Sequence, residues 1–396
     1  MEFRREVNEE FAAKVRAFLD ENYKQEWREN RFDWPFDWDF HRQFVAWQNE
    51  NLLDAGPAEL NAFAREIDRA EFEFRSVGTN SLVANTIAAL GTFEQREQIL
   101  PKMLTGEYLA VLGYTEPDSG SDAAAAKTRA ERDGDDWVIN GQKMFTSNAH
   151  IGTHVFLLTR TNPDVEKHNG LTMFLVPLDT PGVEVREIQT LRGHRTNMTF
   201  YTDVRVPDFY RIGDVDGGWK VMRVALDFEH SSGKKYDTGL QVLRKVSSAM
   251  ESGNRLDLVL RKTLDWARSA KRDDGTAVIE DPAVRERIAR AAIEIEVARL
   301  LGGRNDETAK IAGVGNGTKL YASETYVRAV SDLLDLAGPV GLLQHTEADA
   351  IAGGWPEYSF RDAQVNTIAG GCSEVQRDVI AERRLGLKRM KPAAKS

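Results

Sequence analysis

Between Val111 and Asn148 the chain gathers small hydroxyl residues, a tight turn and an aromatic ring into one stretch. Val111-Leu112-Gly113-Tyr114 has the composition of a short apolar strand, and Thr115-Glu116-Pro117-Asp118-Ser119-Gly120-Ser121-Asp122 follows as a turn of small residues. Pro117 has no amide proton to give and Gly120 turns without a Cβ penalty, so the chain must bend here. The bend leaves the Thr115 and Ser121 hydroxyls and backbone N–H groups facing whatever lies above the strand. Farther on, Trp137-Val138-Ile139-Asn140-Gly141-Gln142-Lys143 is expected to form two strands joined by an Asn-Gly hairpin turn. Phe145-Thr146-Ser147-Asn148 then sets a ring and a second hydroxyl on the next strand. Two hydroxyl-bearing β segments beside an aromatic wall suit a flat ring with polar edges, and the stretch reads as a flavin site. A turn hydroxyl standing alone would serve equally well to cap its own turn.

The elements that must position this stretch follow from periodicity. Phe3, Val7, Phe11, Val15 and Phe18 recur at helical spacing over residues 2–19, and helical patterns return at 39–53, 57–76 and 78–91. Residues 23–40 are polar but rich in rings, Trp27, Phe32, Trp34, Phe36, Trp38 and Phe40. They read as a loop clamped to the body by those rings, or as a wall facing a ligand. Gly91-Thr92-Phe93-Glu94-Gln95-Arg96 is a capped start to one more short helix. From 111 the period becomes two, with strands expected at 111–115, 125–132, 136–140, 153–160, 171–177, 182–188 and 198–206. After Gly217-Gly218 helices are expected at 219–251, 255–271, 283–302, 316–337 and 361–385. The expected order is a helical domain (1–110), an all-β domain (111–214) and a second helical domain (215–396).

At 396 residues the chain has ample core for two or three domains, with 41% hydrophobic and 29% charged residues. A formal net charge of −10 argues against sequence-independent nucleic-acid binding. The single cysteine, Cys372, excludes an internal disulfide and makes a reducing cytoplasm the natural compartment. No Cys/His cluster has metal-site spacing, and no run approaches the length of a membrane span. The first residues are amphipathic and of mixed charge, unlike a signal peptide.

Taken together and in order, GTFEQREQILPKMLTGE, YTEPDSGSD, INGQKMFTSN, DVRVP, GGWKVM and GCSEVQRDVIAERRLGL resemble the acyl-CoA dehydrogenases from about residue 70 to 390. The resemblance implies an N-terminal helical domain, a central β domain and a C-terminal four-helix bundle. It implies FAD as cofactor, an acyl-CoA substrate, electron-transferring flavoprotein as acceptor and a tetramer. The implied reaction takes a proton from the α carbon and a hydride from the β carbon. By the same resemblance Thr115 meets the flavin's pyrimidine side and Ser147 its N5 region. Phe145 walls one face, and Leu112 and Tyr114 offer backbone contacts. Gly120 and Ser121 lie where the pantetheine and flavin chains run, so Ser121 is also a substrate contact.

Many relatives carry the base as Glu in a Tyr-Glu-Gly-Thr stretch, which here reads Ala369-Gly370-Gly371-Cys372. A second branch carries it in Leu-Asp-x-Glu-Arg, matched by Leu226-Asp227-Phe228-Glu229-His230. Glu229 is thus the implied base, raised toward neutral pH by desolvation over a flavin; Glu374 and Asp227 come next. Gly370 could still give its N–H to the thioester oxygen, and His230 replaces the usual Arg on the CoA side. Lys271, Arg272, Gly338, Cys372 and Glu374 fall on cofactor-contact positions. Around Lys271-Arg272-Asp273-Asp274-Gly275 the usual aromatic is missing, and acids beside a diphosphate weaken binding. A Trp-Pro-x-x-Tyr-Gly-Gly loop is also absent near 54–58. An intact ring motif with a weakened nucleotide end resembles the actinobacterial α2β2 branch acting on CoA-activated steroid side chains. Two other readings stay open: a non-catalytic partner subunit, or a flavin-dependent acyl-CoA oxidase.

Overall fold

The computed structural model describes residues 6–29, 36–52, 55–72, 77–230, 254–302 and 313–388. They fall into two compact units, essentially residues up to Glu229 and residues from 254 onward. Phe3, Phe32 and Trp34, and the expected helix beyond 230, lie outside the described residues.

Among the described residues the first unit opens with six helices: α1 (Glu9–Asn22), α2 (Gln25–Glu29), α3 (Trp38–Leu52), α4 (Pro57–Arg69), α5 (Val77–Leu90) and α6 (Phe93–Leu104). Asn8 caps α1 by accepting the Phe11 N–H, one of the donors that helix geometry leaves unpaired. Among the described residues the helix starts there, with 6–8 outside it. The carboxylate of Glu66, 1% exposed, joins α4 to α1 by receiving Arg16 at 2.8 Å and its own neighbour Arg69 at 2.7 Å. The clamp reading of the aromatic stretch holds for the described rings at its core. Trp27 and Phe40 are buried, 5.3 Å apart, and Phe40 lies 5.6 Å from Phe72.

Thr92 and Gln95 close a capping box at the start of α6. The amide of Gln95 also donates to the carbonyls of Phe209 (2.6 Å) and Arg211 (2.7 Å), tying this helix to the β layer. That layer is one eight-stranded sheet: β1 (Ala110–Gly113), β2 (Arg129–Asp133), β3 (Asp136–Lys143), β4 (His154–Arg160), β5 (Leu171–Pro177), β6 (Val183–Gln189), β7 (Arg195–Pro207) and β8 (Arg211–Ile212). Its order is β6-β7-β3-β2-β4-β5-β8, with β1 parallel to β4.

The expected Asn140-Gly141 hairpin turn is not there. β3 runs straight through both residues, pairing Asn140 with Arg129 and Gly141 with Tyr201. The Asn140 amide instead serves an irregularity in β7, donating to the Asp203 carboxylate (3.0 Å) and accepting the Asp203 N–H (2.9 Å). Asp203 takes φ +49° there. Gly141 is needed for close approach, since a Cβ on it would come within 2.7 Å of the Thr128 backbone. The hairpin lies earlier, at Asp133–Asp136 with Gly134 at φ +64°.

α7 (Gly218–His230) follows the sheet. Its Val221, Met222 and Ala225 join one core with Val83 and Ile87 of α5, Ile99 and Met103 of α6, and Phe156, Leu158, Met173 and Leu175 of the sheet. The helical period of α7 thus buries one stripe against strands and N-terminal helices together.

The second unit contains α8 (Asn254–Ser269), α9 (Pro282–Gly302), α10 (Val314–Leu336), α11 (Trp355–Asn366) and α12 (Ser373–Val379), which runs on as a π turn over Ile380–Arg384. Buried Asp362 of α11 holds Arg255 of α8 at 2.8 Å and accepts the Tyr326 hydroxyl of α10 at 3.2 Å, so one carboxylate joins three helices. The single helix expected at 361–385 is two. Gly370 and Gly371, at φ +66° and +87°, break it in a backbone region that suits glycine.

Candidate functional site

The flavin-type stretch converges in the first unit, on connections rather than on strands. β1 stops at Gly113 and β3 at Lys143, so Thr115 and Ser147 both stand just past strand ends, contrary to the expectation of β segments. The reason is local. Glu116 and Ser119 exchange both backbone hydrogen bonds (2.9 and 3.1 Å), which closes a turn straight after Thr115. Phe145 takes φ +57° and Asn148 φ +64°, which turns the chain out of β3. The two segments remain side by side because the Met144 N–H donates to the Thr115 carbonyl at 2.8 Å.

Leu112, Tyr114 and Thr115 are half-buried, whereas Gly120 and Ser121 are exposed. Nothing lies within 4 Å of the place a Gly120 Cβ would take. The Phe145 ring is 55% exposed. The Ser147 hydroxyl meets that of Thr196 at 3.0 Å, and the Thr146 N–H donates to the Asn197 carbonyl at 2.9 Å. The Ser119 hydroxyl is buried and without a hydrogen-bond partner.

Beneath these segments lies a pair the motif reading passed over. The Lys143 ammonium, 0% exposed, donates to Glu116 Oε1 at 2.7 Å and to the Tyr114 carbonyl at 3.3 Å. Glu116, 5% exposed, also accepts the N–H groups of Thr128 (2.9 Å) and Lys127 (2.7 Å). Burial pulls the lysine down to about 8 against the opposing attraction of Glu116. Burial would raise Glu116, but Lys143 and the two N–H donors outweigh it and hold it below the usual carboxylate range. A signal was legible: Lys143 shares the odd-numbered, inward positions of β3 with Trp137 and Ile139, and an inward lysine needs a carboxylate.

Glu229 and His230 stand in the last turn of α7, after the buried Phe228; the side chains of Asp227, Glu229 and His230 lie outside what the structure describes.

In the second unit the remaining residues stand on three separate connections. Lys271 and Arg272 are exposed in a hairpin bridged from Lys271 to Ala277, and Arg272 is ion-paired with Asp281. Gly338 opens the 3-10 turn after α10, at φ +62°. Gly370, Cys372 and Glu374 share the turn leading into α12, with Cys372 as its N-cap residue and Glu374 in the first turn. Two side chains not singled out from sequence hold that turn. Gln376 donates to the carbonyls of Gly370 (3.0 Å) and Gly371 (3.1 Å), and Lys319 to those of Asn366 (2.9 Å) and Gly371 (2.8 Å).

Three domain models match in chain order: acyl-CoA dehydrogenase N-terminal domain over residues 5–107, middle domain over 111–204 and C-terminal domain over 238–385. Acyl-CoA dehydrogenase FadE26 of Mycobacterium tuberculosis is 34% identical over 321 residues, covering 78% of this chain and 76% of that protein. The chain belongs to the acyl-CoA dehydrogenase family. It is therefore an oxidoreductase, and the expected sequence of helical, β and helical parts is borne out. Among solved structures of the family, a variant of the Tcur3481-Tcur3483 steroid ACAD superposes with a TM-score of 0.82 at 31% identity, covering 96% of this chain and 99% of that one. The ChsE4-ChsE5 complex from Mycobacterium tuberculosis gives 0.80 at 30% identity, covering 96% and 98%.

Proposed function

We propose that this acyl-CoA dehydrogenase uses FAD to desaturate the Cα–Cβ bond of a bulky acyl-CoA of steroid side-chain type, together with a second, homologous subunit. One observation carries the flavin reading: the Thr115 segment and the Phe145–Ser147 segment are joined by the Met144–Thr115 hydrogen bond. The residues present fit such a cofactor. Hydroxyl donors stand on both segments, and an exposed ring is held in a left-handed backbone conformation, which is costly for phenylalanine. Ser119 keeps an orphan hydroxyl beneath the turn, and open space lies over Gly120. The relative named a steroid enzyme supports the acyl class, and the two-component names of both structural relatives support the partner.

When bound, FAD supplies the hydride acceptor. In this reading Thr115 would hydrogen-bond the pyrimidine side, and Ser147, whose hydroxyl meets that of Thr196, the side near N5. Phe145 would exclude water from one face, and Leu112 and Tyr114 would contribute backbone groups. Glu229 takes the α proton as general base, which generates enolate charge on the thioester oxygen. The N–H of Gly370 stabilises that charge, on a turn whose carbonyls Gln376 and Lys319 pin. Ser121 and His230 serve the CoA side; Lys271, Arg272, Gly338, Cys372 and Glu374 serve the cofactor.

The deciding experiment is Glu229→Gln on flavin-loaded protein, assayed with a dye acceptor and short, long, branched and steroid acyl-CoAs. Turnover on the best substrate is expected to fall by roughly 10²–10⁴-fold, with folding and flavin absorbance kept. A variant within a few-fold of wild type moves the base to Glu374 or Asp227. A wild type active only on short unbranched chains overturns the substrate class.

A further inference from the structure

The Glu116–Lys143 pair is an expensive way to hold a sheet together. A buried ion pair rarely adds net stability over apolar residues of similar shape, while its fixed hydrogen bonds do specify geometry. Here both members of the pair lie at the roots of the flavin-type segments. Lys143 is the last residue of β3, and two residues later the chain turns at Phe145. Its ammonium holds the Tyr114 carbonyl on one side of Thr115 and the Glu116 carboxylate on the other. The Thr115 carbonyl between them accepts the N–H of Met144, the residue next to Lys143. Glu116 in turn takes the N–H groups of Lys127 and Thr128, which lead into β2. Three chain segments therefore meet on one ion pair, and Thr115 is bracketed by it. No water-exposed alternative competes, because both side chains are buried.

We propose that Glu116 and Lys143 are a positioning pair that sets the spacing between Thr115 and the Phe145–Ser147 turn, and thereby how this chain grips its flavin. The inference rests on the flavin reading above. The pair acts through the residues that touch the ring and takes no part in the hydrogen transfer itself. Removing the ammonium frees the Tyr114 carbonyl and leaves Glu116 without its cation, so the bracket around Thr115 opens. Removing the charge of Glu116 is milder, since a glutamine keeps one acceptor oxygen.

The test uses the FAD-loaded chain, with Lys143→Met, Glu116→Gln and a control, Trp137→Phe. The control removes a buried hydrogen bond of the same sheet, from Trp137 Nε1 to Asp208 at 2.7 Å, away from the site segments. FAD affinity, the visible flavin absorption bands and the thermal midpoint are read for each. Lys143→Met should raise the FAD Kd about ten-fold, the worth of one charge-assisted hydrogen bond, and move the flavin bands. Glu116→Gln should do both to a smaller degree and keeps the question open to an answer if the lysine variant does not fold. Trp137→Phe should lower the thermal midpoint while leaving affinity and bands unchanged. Variants of the pair that lose only thermal stability, as the control does, overturn the positioning role. A wild-type chain that takes up no FAD even when co-expressed with a homologous subunit overturns the flavin reading itself, so the two failures are distinguishable.

Discussion

Gly371→Ala tests how the turn bearing Gly370 is held. Gly371 sits at φ +87°, and a Cβ there would lie 2.5 Å from Gln376 Nε2. A surface amide could swing away cheaply. This one is 2% exposed, and its oxygen accepts the Asn316 amide at 2.6 Å while its nitrogen serves two carbonyls. Displacing it forfeits two or three hydrogen bonds at about 1 kcal/mol each. The left-handed backbone adds about 1 kcal/mol for an L residue, so the total is roughly 3–4 kcal/mol. Gly275→Ala is the matched control, because Gly275 has φ +84° and nothing within 4 Å of a Cβ. It should cost only the backbone share, about 1 kcal/mol. Urea denaturation of the two variants, with hydrogen exchange at residues 366–376, gives the comparison. Gly371→Ala should lose protection there and unfold at lower urea than Gly275→Ala. Equal costs for the two would refute the view that Gln376 anchors the turn.

Acid should weaken the first unit through two buried histidines. His41 and His154 are each brought by burial from 6.5 to about 4, so both fold neutral. Between pH 6.5 and 4 the unfolded chain binds more protons, so this stability is full above 6.5 and is lost as pH falls, up to about 3 kcal/mol for each. His154→Gln should flatten the profile by one histidine's share; a wild-type-to-variant difference that stays constant from pH 7 to 4 would exclude this linkage. For the partner subunit, the chain expressed alone should be incompletely loaded with FAD, and co-expression with a homologous subunit should restore loading and give a mixed tetramer. A fully loaded, active homotetramer from the single chain would count against that assembly.

The order of helical, β and helical parts was legible because it follows from periodicity, a property each segment carries by itself. The Thr92–Gln95 cap, the strand 171–177 and the family motifs all lie within short windows. Partners distant in the chain were harder to read. Asn140-Gly141 has the composition of a hairpin turn, yet the irregularity at Asp203 in β7 claims the Asn140 amide and Thr128 claims the space a Gly141 side chain would need. The Ala369–Cys372 stretch lies inside an apparently continuous helical pattern, and only the left-handed backbone of Gly370 and Gly371, held by Lys319 and Gln376, shows where the helix stops. The motif names Thr115 and Ser147 as hydroxyl donors. Their spacing depends on an ion pair between residues 116 and 143 and on one backbone hydrogen bond, and these arise only when strands distant in sequence meet. By itself, then, the sequence determined the family, the succession of layers and the residue types at the site. Burial and strand pairing decided which of those residues are held at a fixed distance, because both are properties of the assembled sheet and not of any one segment.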